Sequence, residues 1–429
     1  MRIAVIGSGI AGLGAALALR GRAHVTLFEA DRCFGGHAHT VDLTLGGVTH
    51  GVDMGFLVFN HHTYPGLKRL FERLGVVTAP SDMSFSVQVP HAFGRRPLEW
   101  SGTNLATVFS QRRNLARPAF WRMLGEIRRF NALGRSLARQ PLDPALSLQD
   151  FLERHGFGAA FRDWYLLPMT GCIWSSPVEA MLDFPAATLL RFCDNHGLLQ
   201  VADRPPWRTV AGGSREYVRR IVSGVPDLRP ATPVRQLRRQ AGGALVSTDS
   251  GTEYFDRAIV ATHPDQALAM LADPTPGERR LLGAIRYQAN RAVLHTDAGV
   301  LPRRRAAWAA WNYESGGLAG ESRVCLHYLI NRLQPLPWAE PVIVSLNPLR
   351  PIAAASVVVE REFHHPVFDA RAIEAQALLP RLNAAGPVHF CGAWAGYGFH
   401  EDGLRSGEAA AEDALTPVGH GGADARLAA

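Results

Sequence analysis

The chain opens with a regular succession of apolar and glycine-rich segments. The apolar run Arg2–Ile6 predicts a buried strand, and the small residues 15–19 predict a closely packed helix. A glycine-rich turn lies between these two segments, and a second apolar run, His24–Phe28, follows the helix. This order predicts one strand, turn, helix and strand unit at the start of the chain.

The turn contains glycines with the spacing G-x-G-x-x-G, at Gly7, Gly9 and Gly12. Gly7 allows the chain to reverse, Gly9 allows the backbone to approach a pyrophosphate, and Gly12 allows close packing of the helix on the sheet. The helix N-terminus offers unpaired N–H groups to phosphates. Glu29 ends the second strand, where an acid accepts hydrogen bonds from an adenosine ribose and repels a 2′-phosphate. These residues predict a site for NAD or FAD rather than NADP.

Later apolar patterns predict further elements. The runs 244–248 and 252–255 flank a turn at 249–251 and predict a hairpin. Towards the C-terminus, a predicted strand at 387–391 precedes a glycine-containing loop and a helix of small residues at 404–411.

The composition indicates a large globular protein. With 429 residues and 47% hydrophobic content, the chain is expected to form two domains. The nearly uncharged stretch 3–19 could be a secretory signal or membrane segment, but that alternative leaves the glycine spacing and Glu29 unexplained. No later stretch has the roughly 18 consecutive apolar residues of a membrane span. The five cysteines lack C-x-x-C and zinc-like spacings, which predicts reduced thiols in a cytoplasm and no metal site.

The formal charge of +7 is concentrated in one stretch. Residues 94–140 contain two glutamates and ten arginines, at positions 95, 96, 112, 113, 117, 122, 128, 129, 135 and 139. Phe120, Leu124 and Ile127 repeat at helical spacing within it, which predicts a cationic amphipathic helix that binds an anionic membrane surface. An ordinary solvated helix is the alternative, and nucleic acid is disfavoured because no recognition motif accompanies the charge.

Further glycine motifs follow the predicted ribose acid and close the chain. Gly35-Gly36 comes shortly after Glu29, Asp53-x-Gly55 follows a hairpin-like pair, and Gly392 precedes a loop that leads into a Ser-Gly helix start. In this order the motifs resemble the flavin-containing amine oxidase and phytoene desaturase superfamily, which implies FAD as the cofactor. The sequence departs from the superfamily at Ala393, where an acid usually contacts the ribityl chain.

The resemblance implies an α/β fold with a Rossmann-like FAD-binding domain of the glutathione-reductase type and an α+β substrate domain. The FAD-binding domain is expected to be discontinuous, at 1–85, 206–285 and 385–415. The substrate domain is expected at 86–205 and 286–384, with a disordered tail at 416–429. The residues expected to bind the cofactor are Gly7, Gly9, Gly12, Glu29, Arg32, Gly35, Gly36, His37, Asp53, Gly55, Val234, Gly392, Asp402 and Gly403.

A finer resemblance extends over nearly the whole chain. It rests on segments 55–60, 83–86, 311–313, 331–334, 391–394 and 398–403. These segments are similar to a bacterial subgroup found beside methyltransferases that resemble cyclopropane-fatty-acid synthases. The similarity implies modification of methylated or cyclopropane fatty acyl chains, including a desaturation towards furan fatty acids.

The closing loop contains the main candidates for catalysis. His400 or Glu401 could act as a general base beside the flavin, and Tyr397 could line the substrate passage. The alternative is that Glu401 and Asp402 cap the last helix while His400 packs.

Three basic residues elsewhere also bear on the chemistry. By superfamily precedent, His37 or His39 could face the flavin or bind it covalently, although structural hydrogen bonding is the favoured interpretation. Lys68 is the only lysine, and its position on a predicted amphipathic helix indicates a surface residue. Many amine oxidases of the superfamily use a lysine to hold a water at flavin N5, so this position argues against an amine substrate.

We therefore expect an FAD-dependent oxidase or desaturase that acts on a methylated or unsaturated acyl chain of membrane phospholipid. Hydride would pass to flavin N5, and oxygen or a quinone would accept the electrons. The expected location is cytoplasmic, at the inner face of a bacterial membrane. The alternatives are an amine, porphyrinogen or carotenoid oxidoreductase, and a flavin-bearing lipid-binding protein without turnover.

Overall fold

The computed structural model describes residues 1–93, 96–176, 178–200, 204–316 and 324–416. Arg95 of the basic stretch and residues 417–429 of the expected tail lie outside the described residues. The strands are β1 (Arg2–Ile6), β2 (His24–Phe28), β3 (Thr40–Leu45), β4 (Val48–Asp53), β5 (Phe59–Asn60), β6 (Thr78–Ser81), β7 (Phe85–Phe93), β8 (Arg96–Ser101), β9 (Trp207–Val210), β10 (Asp227–Arg229), β11 (Gln236–Gln240), β12 (Gly243–Thr248), β13 (Gly251–Phe255), β14 (Arg257–Val260), β15 (Arg286–His295), β16 (Trp311–Glu314), β17 (Cys325–Leu329), β18 (Ile343–Leu346), β19 (Val357–Val367) and β20 (Val388–Phe390).

The helices that connect these strands are mostly short. They are α1 (Ile10–Ala18), α2 (Pro65–Leu74), α3 (Leu105–Val108), α4 (Pro118–Leu137), α5 (Leu148–Arg154), α6 (Ala159–Phe161), α7 (Leu167–Trp174), α8 (Val178–Leu182), α9 (Ala186–Asn195), α10 (Arg215–Val222), α11 (Pro264–Met270), α12 (Pro276–Ala284), α13 (Ile330–Leu333), α14 (Ala370–Gln376), α15 (Leu379–Asn383) and α16 (His400–Leu415). Among the described residues, no helix combines the length and the apolar character needed to cross a membrane.

A five-stranded parallel sheet contains the first elements of the chain. Its order is β10-β2-β1-β14-β20, so strands from three distant parts of the sequence lie side by side. The last four residues of both β1 and β2 are buried, which is typical of a parallel sheet covered on both faces. The predicted α/β fold with a Rossmann-like sheet is confirmed.

The helices α1 and α16 come from opposite ends of the chain and pack together at glycine positions. A Cβ added at Gly407 would lie 2.0 Å from the Ala11 carbonyl oxygen, and one added at Gly14 would lie 2.8 Å from Leu404 Cδ1. Only a residue without a side chain allows this approach at Gly407. Both helices are longer than the sequence patterns predicted, because α1 begins at Ile10 and α16 begins at His400.

A second, seven-stranded sheet has the order β19-β15-β18-β17-β16-β7-β8. Its neighbouring strands are antiparallel except for the parallel pair β16 and β7. Helices α3 to α9 come between β8 and β9 in the chain. The predicted hairpin is present as β12 and β13, which pair with each other and, through β12, with β11.

His389 is a buried polar residue on the edge strand β20 of the parallel sheet. It lies on β20, is 2% exposed, and neither ring nitrogen has a hydrogen-bond partner among the described residues. Burial lowers the pKa of His389 to about 4. In the unfolded chain this histidine takes up a proton below about pH 6.5, whereas in the folded protein it stays neutral until about pH 4. The free energy of unfolding therefore falls as the pH is lowered from about 6.5 towards 4.

We expect His389→Leu to raise the free energy of unfolding by about 2 kcal/mol more at pH 5 than at pH 8, because the substitution removes this difference in proton binding. Urea unfolding at the two pH values measures the change, and His91→Leu at an exposed position is the control. An equal effect of His389→Leu at both pH values would contradict the prediction.

Candidate active site

A cavity of about 850 Å³ runs between the two sheets. One side is formed by the turn before α1 and by the chain beyond β2, β14 and β20. The other side is formed by β16, β17, β19 and the helices α7 and α9. Its volume falls in the upper part of the range for small-molecule and cofactor sites.

The first glycine loop lines one end of the cavity. Gly7 has φ of +97°, and its N–H donates to the Phe28 carbonyl at 2.8 Å. A Cβ at Gly12 would lie 1.9 Å from the Gly7 carbonyl oxygen, so Gly12 allows the helix to fold back onto the turn itself. A Cβ at Gly9 would meet no atom within 4 Å and would project into open space. Gly36 lies against Gly9, because its Cβ would be 3.1 Å from Gly9 Cα.

Glu29 lies beside this loop and also lines the cavity. Its carboxylate accepts hydrogen bonds from the Ser8 N–H and the Asp31 N–H, both at 2.9 Å, and from the Ser8 hydroxyl at 2.5 Å. Its backbone carbonyl accepts from the Thr232 N–H at 2.8 Å, which brings Val234 to the same end of the cavity. A carboxylate has about four acceptor positions, so capacity remains for a hydroxyl donor.

The backbone at His37 lies close against the backbone at Gly55 and Phe56, and all three residues line the cavity. Phe56 N–H donates to the His37 carbonyl at 2.8 Å, and a Cβ at Gly55 would lie 2.2 Å from that carbonyl oxygen. The buried His37 Nε2 has no hydrogen-bond partner among the described residues. Burial, together with His365 nearby, holds the pKa of His37 well below its usual value. His37 is thus a neutral lining residue with an unused polar atom, whereas His39 does not line the cavity.

The closing loop approaches the cavity from the other end of the chain. Gly392 and His400 line it directly. The His400 ring stacks on Phe56 with centroids 3.8 Å apart, and its Nε2 lies 3.1 Å from the Tyr217 hydroxyl. Burial lowers the pKa of His400 to about 3, so the ring is neutral at pH 7.

The expectation that Glu401 acts as a base in the cavity is wrong. Its carboxylate accepts from the Gly66 N–H at 2.8 Å and the Leu67 N–H at 2.9 Å, and it is 6% exposed. Glu401 therefore caps the N-terminus of α2 rather than its own helix. Tyr397 does not line the cavity either, since its ring packs on Phe192 and its carbonyl accepts from Trp174 Nε1.

Asp402 and Gly403 support the closing loop from behind the cavity wall. The Asp402 carboxylate accepts from the Tyr397 N–H at 3.1 Å and the Phe399 N–H at 3.0 Å, and burial raises the pKa of Asp402 to about 6. A Cβ at Gly403 would lie 2.7 Å from Ile10 Cγ2, so this glycine packs on α1. Neither residue lines the cavity in this structure.

Asp53 and Gly35 are also positioned behind the wall. Asp53 is 1% exposed and accepts from Thr40 Oγ1, from Ser214 N–H and Oγ, and from Gln334 Nε2. Burial raises the pKa of Asp53 to about 6. Gly35 N–H donates to Ser8 Oγ at 3.0 Å. These residues connect distant segments and do not line the cavity.

Arg32 was expected beside the cofactor, but its side chain is exposed and does not line the cavity. Arg361 on β19 does line the cavity, and it pairs with Asp31 at 2.5 Å. No local pattern around Arg361 indicated this position, because only the tertiary contact between β19 and the chain beyond β2 creates it.

The half of the cavity away from Glu29 is largely apolar and aromatic. Its lining residues include Leu57, Val58, Tyr64, Met83, Cys172, Ile173, Phe192, His196, Leu198, Trp207, Trp311 and Tyr328. Among the described residues, the charged side chains that line the cavity are Glu29, Arg235, Arg361 and Glu362. Lys68 lies outside it, on α2, where it pairs with Glu72 at 3.6 Å.

His196 is a lining residue that the sequence did not single out. Its Nδ1 lies 3.0 Å from the Phe192 carbonyl, which can only accept, so Nδ1 carries the proton. The other nitrogen, Nε2, is then an unprotonated acceptor. Burial lowers the pKa of His196 to about 4, and the ring stacks on Phe192 with centroids 3.9 Å apart.

A separate buried group contains Glu314, Cys325 and His327, whose potential ligand atoms lie within 4.8 Å of one another. The sequence predicted no metal site, because its cysteines and histidines lack metal-like spacing. The group comes together only through the pairing of β16 with β17. Glu314 already pairs with His327 Nε2 at 3.1 Å and with Arg350 Nε at 3.0 Å. Burial opposes the charging of His327, but Cys325 and Glu314 raise its pKa to about 9. The group is accounted for as an internal ion pair.

The family model for flavin containing amine oxidoreductases matches residues 10–302, which is more than half of the chain. The chain belongs to this family. It is an FAD-dependent oxidoreductase, and the expectation of FAD is confirmed. The cavity fits this cofactor, since it has open space at Gly9 beside a helix N-terminus and an unused polar atom at His37.

Solved structures share the fold over almost the entire chain. A putrescine oxidase variant has a TM-score of 0.69 at 17% identity, covering 97% of this chain and 99% of its own. A fatty acid isomerase from P. acnes that produces CLA has a TM-score of 0.67 at 14% identity, covering 95% and 97%. Cyclohexylamine oxidase from Brevibacterium oxydans IH-35A has a TM-score of 0.65 at 15% identity, covering 96% and 98%. A comparison with curated protein sequences found no significant match.

Gly9 and Gly12 are expected to respond differently to the same substitution. Gly9→Ala adds a methyl group to open cavity space, so the flavin-free protein should keep its stability within about 0.5 kcal/mol while FAD retention falls. Gly12→Ala pushes α1 away from the turn that contains Gly7 and should lower the free energy of unfolding by about 3 kcal/mol. Unfolding of the flavin-free proteins and flavin absorbance after purification measure both effects. An equal loss of stability in the two variants would contradict this assignment.

Proposed function

We propose that this FAD-dependent oxidoreductase oxidises or desaturates an apolar acyl chain, such as a methylated or unsaturated fatty acyl group of a phospholipid. The observation that supports this proposal is the apolar and aromatic lining of the cavity half away from Glu29. An uncharged acyl chain loses little hydration free energy on entering such a space. An ammonium group loses much more, and no carboxylate among the described lining residues of that half compensates for it.

The positions of the charged lining residues strengthen the proposal. Arg361 pairs with Asp31, two residues beyond Glu29, and Arg235 follows the segment that bonds Glu29. Glu362 lies next to Arg361 and pairs with His364 at 3.3 Å. The histidines with lowered pKa values do not add charge at neutral pH. The fatty acid isomerase with the same fold, by its name, acts on a fatty acid, which agrees with the proposed substrate class.

An amine is the second candidate. Tyr64, Trp207, Trp311 and Tyr328 line the same half of the cavity, and aromatic faces attract cations. Two of the solved structures that share the fold are amine oxidases by name. The exposed position of Lys68, away from the cavity, favours the acyl chain over the amine.

Bound FAD supplies the acceptor for a hydride from the substrate. The apolar wall would hold the chain and exclude water, while a proton lost from the adjacent carbon would need an acceptor in the cavity. We propose His196 Nε2 for that acceptor, because Nδ1–H is held by the Phe192 carbonyl. His400 is less suited, since its Nε2 already contacts the Tyr217 hydroxyl.

The substrate class is tested by mixing the purified holoenzyme anaerobically with methylated or unsaturated phospholipids and following flavin bleaching. We expect reduction by an acyl lipid and none by putrescine or a longer polyamine, because no described residue places a carboxylate in the apolar half. Subsequent addition of oxygen or a quinone identifies the electron acceptor. Rapid bleaching by a polyamine, with none by any lipid, would contradict the proposal.

The proton acceptor is tested by His196→Gln, which keeps polarity and approximate size. We expect flavin reduction to slow by about 10²–10⁴, the usual contribution of a general base, with FAD content unchanged. His62→Gln, at an exposed position, is the control, and His400→Gln should change the rate less than His196→Gln. A wild-type rate for His196→Gln would rule out this role.

A further inference from the structure

An exposed surface away from the cavity combines apolar tips with arginines. Leu105 on α3 is 78% exposed, and Leu115 and Trp121 are 51% and 50% exposed. Trp121 Nε1 donates to the Leu115 carbonyl at 2.9 Å, and the Trp121 ring lies 5.2 Å from that of Phe109. These two contacts hold the Trp121 ring at the surface, so the ring stays exposed because of its local partners.

The arginines around these residues come from two distant segments. The turn that contains Arg305 packs against α3, and Arg303 N–H donates to Glu99 Oε1 at 3.1 Å. The run at 303–305 therefore joins the basic stretch, which the sequence did not predict. We call the whole surface the basic face; it comprises Arg96, Leu105, Arg112, Arg113, Leu115, Arg117, Trp121, Arg122, Arg303, Arg304 and Arg305.

In the part of the chain that the structure describes, no ion pair balances the positive charge of the basic face. Among the described residues, none of its arginines forms an ion pair within 4.0 Å, whereas Arg22, Arg229 and Arg291 on other surfaces are each paired. Glu99 is 2% exposed, so its charge is not presented to solvent. Arg117 lies over the Phe93 ring, and burial together with Arg113 and Arg96 lowers its pKa. The arginines thus repel one another and favour an anionic partner.

We propose that the basic face docks on an anionic lipid bilayer. Arginines attract anionic headgroups, while exposed leucine and tryptophan side chains insert at the boundary of the acyl region. A nucleic acid would use the charge but would leave exposed leucines without a role. No residue of the basic face lines the cavity, so docking can be tested separately from the proposed substrate.

The experiment is co-sedimentation of the holoenzyme with phosphatidylcholine vesicles, with or without about one third phosphatidylglycerol. We expect binding only to the anionic vesicles. Arg112→Gln/Arg304→Gln should lower the partition coefficient about 25-fold, which corresponds to about 1 kcal/mol for each arginine. Leu105→Ser should lower it roughly tenfold through lost apolar insertion.

Matched variants on other surfaces provide the controls. Arg154→Gln/Arg371→Gln removes the same charge from exposed positions, and Val77→Ser removes an apolar side chain that is 67% exposed. The proposal fails if anionic vesicles do not bind, if the controls lose as much binding as the test variants, or if duplex DNA binds and vesicles do not. Flavin reduction by detergent-dispersed lipid should be unchanged in all variants, which separates failure of docking from failure of the proposed substrate.

Discussion

The close packing of α1 against α16 is the contact on which the rest of the site depends. It brings the first and last elements of the chain together, and it requires that Gly407 have no side chain, because a Cβ there would overlap the Ala11 carbonyl. The same approach places the glycine turn at Gly9 opposite the loop that begins at Gly392, and both line one cavity. A cofactor site assembled in this way cannot form until most of the chain has folded, since its parts are separated by nearly the entire sequence.

Buried carboxylates hold this arrangement from behind the cavity wall. Glu401 joins α16 to α2, Asp402 shapes the loop before α16, and Asp53 connects segments around Thr40, Ser214 and Gln334. Each satisfies backbone or side-chain donors that would be costly to leave unpaired. None of these three carboxylates lines the cavity. Of the two bases that the sequence suggested, His400 lines the cavity and Glu401 does not.

Separation of charge is a general feature of the molecule. The charged lining residues gather at the end of the cavity near Glu29, and the apolar half holds neutral side chains. On an outer face lie arginines that form no ion pair with any described residue. An enzyme acting on an acyl chain at a membrane would need both properties, a dry neutral cavity and a surface attracted to anionic headgroups. The cavity and the basic face consist of different residues, so a substitution can change one of them without changing the other.

The sequence alone was sufficient for the features that depend on local backbone geometry. The glycine spacing at Gly7, Gly9 and Gly12, the apolar strands and Glu29 at a strand end predicted the nucleotide-binding unit, because turn conformation and strand burial follow from nearby residues. Only the tertiary structure decided which side chains reach the cavity. Glu401 follows His400 in the chain yet caps a different helix, while Arg361 and His196 enter from distant elements. Side-chain direction at a helix start and contacts between remote strands arise from packing of the whole chain, and no local pattern encodes them.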